Sequence, residues 1–262
     1  MSYVYFCEDS LEGIFTAIYN IYLDKRNFRD TRICLEEENM LFSEYIPVET
    51  DVERAKKVIH TCRERFGEQD YYSLCMALST TDVEKAQAVY KTISYGLNAK
   101  PRKGHLFDHL TDDFILKVFK LSATANREAH QWLEFLRFRE LENGILYAVI
   151  SPKNQILTNL MEHFCDRLPS ENFAIFDEGR KLFGIHPCRQ NWFLAKGSEL
   201  EDCFQNLNVS EEEEKYAELF RHFCRSIAIK ERKNKDLQRN MLPLYFRDYM
   251  TEFRDAERIL FD

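Results

Sequence analysis

Glycine and proline are scarce in this sequence, at 8 and 6 of 262 residues. Long flexible linkers are therefore not expected, and the core should be large and continuous. No stretch approaches the roughly 20 apolar residues that a membrane span requires. Met1 to Asp9 lack a basic leader region and already carry Glu8 and Asp9. That predicts no secretory signal and a cytoplasmic protein. In that compartment the 8 cysteines stay reduced, and Cys62, Cys75, Cys165 and Cys224 fall at apolar positions of helical patterns, as buried thiols do. An excess of positive charge is also missing. Net charge is −8, with 16 Lys/Arg against 20 Asp/Glu in residues 1–120 and 20 against 24 in 121–262. Global electrostatics do not favour nucleic acid, so any DNA contact must come from a local patch.

What is present is apolar periodicity. Residues 3–7 (YVYFC) and 31–35 (TRICL) read as strands. Between them Ser10 caps a helix through Leu11, Ile14, Phe15, Ile18 and Tyr22. Thr50-Asp-Val-Glu53 and Thr81-Asp-Val-Glu84 are both capping boxes. The segments they open share 7 of 12 residues, which reads as two separately capped helices or as a duplicated unit. Thr111 opens a further helix through Phe114, Ile115, Val118 and Phe119, and a helix containing Glu128, His130 and Trp132 leads out of this half.

The second half changes character. Residues 135–141 and 145–151 flank Asn143-Gly144, the strongest short hairpin signal. A two-residue loop would put Arg139, Leu141, Leu146 and Ala148 on one face and Glu140 and Tyr147 on the other. A helix over 154–168 follows, then a second hairpin, 173–177 with 181–185, around Glu178-Gly179. Ser210 and Glu213 start a late helix with Tyr216, Leu219, Phe220, Phe223 and Ile227 at helical spacing. The expected class is α+β. A helix-rich N-terminal half (1–121) precedes a half with antiparallel hairpins at 135–151 and 173–185 packed by helices (122–262). The halves are two domains or one continuous one.

Chemistry-bearing residues are few. His60/Cys62, His163/Cys165 and His222/Cys224 lie two apart in predicted helices, where they point about 200° from each other and cannot share an ion. His186-Pro-Cys188 is in a loop, but no Cys-x-x-Cys completes a zinc site. His105 and His109 would share a helix face with no third ligand in view. Neither metal nor cofactor is expected. The phosphate-binding loop, the nucleophile elbow, the dinucleotide fingerprint and the radical SAM cysteine cluster are all missing.

Two groups stand out. Residues 215–239 hold eight Lys/Arg and three Asp/Glu. There Arg225, Lys230, Arg232, Lys233, Asn234 and Lys235 fit phosphate contacts, although bases at a helix C-terminus also answer the macrodipole. The second group is Arg137, His163, Arg167, Asp177 and Arg180. His163 and Arg167 share a helix face, and Asp177 and Arg180 flank a turn and can pair across it. Asp at a turn is usually structural, because its carboxylate caps the turn amides.

These residues carry a resemblance. The run 127–180 is similar to the core of a domain of unknown function found in a family labelled probable DNA metabolism proteins. The matching features are Phe135/Arg137/Phe138, Tyr147-Ala148, Pro152, His163-Phe164, Arg167, Ile175, Asp177 and Arg180. The likeness extends through 227–234, Met241/Pro243 and Tyr245, and back to 11–19 and Thr50-Asp51. One departure is that the family's first strand leads into an Asp-Gly turn, where this chain has Cys7-Glu8-Asp9-Ser10. The resemblance implies pairing with a radical SAM protein that modifies or repairs DNA, and kinship with domains fused to uracil-DNA-glycosylase-like domains.

Three functions are therefore open. The first is a DNA-repair accessory protein using Arg167, Arg180, Arg232 and Asn234 for phosphate or partner carboxylates. The second is an enzyme on a nucleic-acid base or phosphodiester. It would use His163 as general acid/base, Asp177 as its orienter or as a metal ligand, and Arg137 or Arg180 for an anion. The third is an interaction module that never touches DNA.

Overall fold

The computed structural model describes residues 2–36, 42–98, 105–229, 232 and 234–253. Within them the chain is α+β, with ten α-helices and two sheets. It divides into two compact units, Met1–Arg127 with Lys153–Gln155 and Glu128–Pro152 with Ile156–Asp262.

In the N-terminal unit β1 (Ser2–Phe6), β2 (Thr31–Cys34) and β3 (Ser43–Pro47) form a parallel sheet in the order β2-β1-β3. The third strand was not expected. Its SEYIP sequence is half-exposed to exposed throughout, so it carries little of the apolar signal by which strands are read. Helix α1 (Leu11–Leu23) connects β1 to β2 and buries Ile14, Phe15, Ile18 and Ile21. Its cap is Ser10, whose hydroxyl accepts from Gly13 N at 3.0 Å. Glycine is needed at 13, because a Cβ there would stand 2.7 Å from the Glu8 carbonyl. Helices α2 (Val52–Phe66), α3 (Glu68–Leu78) and α4 (Lys85–Asn98) add Val58, Leu74, Val89, Tyr90 and Ile93 to the same core.

The expected threonine caps shift by one residue. At α2 the cap is Asp51, which accepts from Glu53 N and Arg54 N, while the Thr50 hydroxyl donates to Glu8. Asp82 accepts from Glu84 N ahead of α4, and Asp112 accepts from Phe114 N and Ile115 N ahead of α5 (Asp113–Phe135). A carboxylate satisfies the same orphan amides as a hydroxyl and adds a charge that the helix N-terminus favours. The two helices expected between 111 and 134 are one, since α5 runs unbroken through 23 residues.

In the C-terminal unit the two expected hairpins belong to one sheet. β4 (Arg139–Glu140), β5 (Leu146–Ile150), β6 (Phe173–Asp177), β7 (Leu182–His186) and β8 (Phe193–Ala195) lie in sequence order, with β5 and β6 parallel and the other pairs antiparallel. The β5–β6 crossover is α6 (Leu157–Arg167). It packs so closely that a Cβ at Gly184 would collide with the Met161 side chain. The opposite face, with Tyr147, Ala174, Phe176 and Phe183, is covered by Leu200 and Phe204 of α7 (Ser198–Gln205).

The first hairpin is slipped by one residue from the two-residue reading. Arg139 opposes Tyr147 and Glu140 opposes Leu146. Gly144 has φ +76°, whereas Asn143 is not in the left-handed region. Leu141 N donates to Ile145 O at 2.9 Å across Glu142-Asn143-Gly144. A three-residue loop of this kind needs one positive φ rather than two, and the slip exchanges the predicted faces.

The chain continues through α8 (Glu211–Ile227), α9 (Lys235–Met241) and α10 (Leu244–Arg247). Ser210 caps α8 through Glu213 N at 3.1 Å. Among the described residues no helix is long and apolar enough to cross a membrane. Of the 8 cysteines, all free, Cys7, Cys34 and Cys62 are buried, four are half-buried and Cys203 is exposed. Burial pushes the Cys7 and Cys62 thiols up to about 12, which keeps them protonated and unreactive.

Candidate functional site

The two parallel strands of the C-terminal unit end side by side, because Ile150 and Asp177 are register partners. The carboxyl ends of parallel strands are where open α/β sheets place their ligands. Ser151-Pro152 leaves β5 there and Glu178-Gly179-Arg180 leaves β6, tied by Glu178 N donating to Ile150 O at 3.0 Å.

Asp177 is fully buried. Its Oδ1 accepts from Arg180 N at 3.1 Å, and its Oδ2 pairs with Arg180 Nη1 at 3.1 Å. The same Nη1 donates to Pro152 O at 2.9 Å. One guanidinium therefore welds the β6–β7 turn to the end of β5. A buried carboxylate is tolerated only with such compensation.

Aromatic residues from later in the chain close around this turn. The Tyr249 hydroxyl donates to Glu178 Oε1. Burial, then the Glu178 carboxylate, pushes the Tyr249 phenol above its ordinary range. Burial also raises Tyr245, partly offset by the Ser151 hydroxyl. Both phenols are thus protonated donors at neutral pH. Behind them Trp132 at the end of α5 is fully buried, with edge contacts to Phe246 at 4.9 Å and Tyr249 at 5.1 Å. The arrangement positions donors around a neutralised ion pair.

The other expected site residues lie elsewhere. Arg137 pairs with Glu252 at 3.0 Å and also donates to Glu134 O and Leu136 O. His163 and Arg167 are exposed on α6, with the His163 ring edge-on to Phe164. Among the described residues no hydrogen bond or ion pair joins His163 to Asp177 or to Arg137. Arg225 is exposed in the last turn of α8, and Arg232 is exposed beyond it. Asn234 caps α9 by accepting from Leu237 N at 3.0 Å, and Lys235 is the first residue of that helix. Lys230 and Lys233 lie outside the described residues.

His105 and His109 do not share an α-helical face. They flank a 3-10 turn, Leu106–Asp108, in which positions four apart diverge by about 120°. His105 pairs with Asp70 at 3.5 Å, and His109 packs on Tyr95.

Sequence reading missed Ser151, Glu178, Tyr249 and Glu252. Their partners are 71 and 115 residues away in the two clearest cases, beyond any local spacing rule. The only local signal was the aromatic density after Pro243.

The family model for the domain of unknown function DUF4130 matches residues 83–252. The chain belongs to the DUF4130 family. No curated protein matches it. The DUF4130 match begins just before α4 and includes the whole Asp177–Arg180 turn, α8 and both tyrosines.

Proposed function

We propose that this protein is an accessory factor of DNA metabolism that acts with a radical SAM protein. That partner docks on the apolar face of α8, and DNA phosphates are held at the basic end of the same helix. The observation that carries the reading is α8 itself. It spans 17 residues and buries none of them. Tyr216, Leu219, Phe220, Phe223 and Ile227 are all exposed, Tyr216 by 67% and Leu219 by 64%. The positions 216, 220, 223 and 227 alternate steps of four and three, the seam that a helix or groove of a partner takes up. Isolated exposed apolar residues need no explanation, but an aligned row does.

Charge supports the assignment of partners. Glu211–Glu214 fill the first turn of α8, which suits a basic rim on the partner's groove. Arg225 in the last turn of α8, Arg232 beyond it, and Lys235 and Arg239 on α9 offer phosphate contacts. The likeness of residues 127–180 to proteins paired with a radical SAM DNA-repair protein supports the choice of partner. The accessory reading is preferred to the enzymatic one because both Asp177 oxygens are engaged by Arg180. A carboxylate held that way anchors the turn and does not orient His163, the residue expected to act as general acid/base.

The test is a DNA titration at two salt concentrations with single- and double-stranded probes. Binding should weaken steeply with salt, and Arg225→Glu with Arg232→Glu should lower the salt slope by about two contacts. Binding that ignores salt and survives both reversals would overturn the DNA assignment. Capture of the radical SAM protein with no DNA shift would leave an interaction module.

A further inference from the structure

The N-terminal unit holds a cavity of about 480 Å³ that the reading above does not use. It lies between the edge strand β2, the 3-10 turn Phe28–Asp30, α4 and the start of α5. The volume falls within the ~300–1,000 Å³ of small-molecule sites. We propose that this cavity binds a nucleotide-class ligand, with its phosphate between Lys91 and Arg32 and its planar ring against Phe28 and Phe114.

The lining is strongly one-sided in charge. Arg29, Arg32, Lys91 and Lys117 face it against a single carboxylate, Glu84. Glu84 is already engaged by Lys117, which also reaches Asp82 at 3.2 Å. Lys91 is only 7% exposed. Its ammonium donates to Phe28 O and sits 3.8 Å from the Phe28 ring centroid and 5.1 Å from that of Tyr90. Burial, then the neighbouring Arg32, draws Lys91 down to about 8, with Asp30 opposing. A buried cation beside a second cation is costly to hold. An anion between them removes that cost, and two or three convergent cations suit phosphate better than a lone carboxylate.

The apolar walls favour a ring on that phosphate. Phe28 and Phe114 contribute the aromatic surface, and base–aromatic stacking tolerates any base. Gln87 at the rim is committed to β2, where its Oε1 accepts from Ile33 N at 2.9 Å. Only its Nε2 donors are left to read a base edge, so selectivity among bases should be weak. All of these residues lie in the N-terminal unit, so the inference is independent of α8 and of the partner.

The experiment is isothermal calorimetry of the full chain with adenosine 5′-monophosphate, inorganic phosphate and adenosine. The monophosphate should bind best, and phosphate more weakly. Lys91→Met should weaken monophosphate binding by about 10-fold or more, the scale of a lost charged hydrogen bond. Arg32→Gln should act in the same direction. A thermal melt accompanies each variant, and Lys91→Met should melt no lower than the parent. Displacement by a 5′-phosphorylated oligonucleotide, but not by its 5′-hydroxyl form, would assign a strand end as the source of the phosphate. Displacement by neither would leave the free nucleotide. No binding of the monophosphate, or equal binding by a folded Lys91→Met variant, would overturn the inference.

Discussion

Helices α1 and α8 carry similar apolar periodicity, yet one buries seven of its 13 residues and the other none of its 17. In α1 the apolar stripe meets β1 and β2, and Ile14, Phe15 and Ile18 lie in a continuous core. In α8 the half-covered positions are Glu213, Ala217, Arg221 and Cys224, and the row of large apolar side chains is centred about 100° to one side of that seam. A period of 3.6 says that one face will be covered. It does not say by what: α1 is covered by its own sheet and helices, whereas no residue of α8 is buried among the described residues.

Six substitutions at five residues sharpen this contrast. Phe15→Ala should cost about 3–5 kcal/mol, because the ring is fully buried and its removal leaves a cavity. Urea denaturation reads this directly, and a loss under 1 kcal/mol would mean that the α1 core is loosely packed. Asp177→Ala should cost about 3 kcal/mol, since it strands the Arg180 guanidinium and opens the β6–β7 turn. Asp177→Asn should cost less, keeping the acceptor for Arg180 N.

Lys91→Met should stabilise the protein, by an amount that depends on pH. The folded pKa of Lys91, about 8, lies below its ordinary 10.5. The penalty for holding it charged is therefore complete below about pH 8 and fades as pH rises toward 10.5. The gap between the variant and the parent should narrow over that window, with Arg32 and Asp30 the charged neighbours that set it. A gap unchanged between pH 7 and pH 10 would contradict a depressed Lys91. The smallest effect is expected on α8, where Phe220→Ala and Phe223→Ala should each shift stability by no more than about 0.5 kcal/mol.

Much of the order and capping of the elements was legible beforehand, and the remainder has physical causes. Ser10 and Ser210 announced their helices because caps are local. Thr50, Thr81 and Thr111 were read one residue early because the following Asp serves the same amides. Asn143-Gly144 located the hairpin but not its register, since one glycine at positive φ admits a three-residue loop as well as a two-residue one. The parallel pairing of β5 with β6 is non-local and left no trace in either hairpin's own pattern. The Asp177–Arg180 pair was visible across its turn. The Tyr249–Glu178 and Arg137–Glu252 links were not, because tertiary packing alone brings those residues together.

The measurement that bears most directly on the account is hydrogen exchange on the full chain, with and without the radical SAM protein. Slowed exchange centred on the amides of Glu211–Ile227, abolished when Phe220 and Phe223 are both changed to Glu, is the predicted result. Protection confined to α6 or to the Asp177–Arg180 turn, with α8 unchanged, would contradict it.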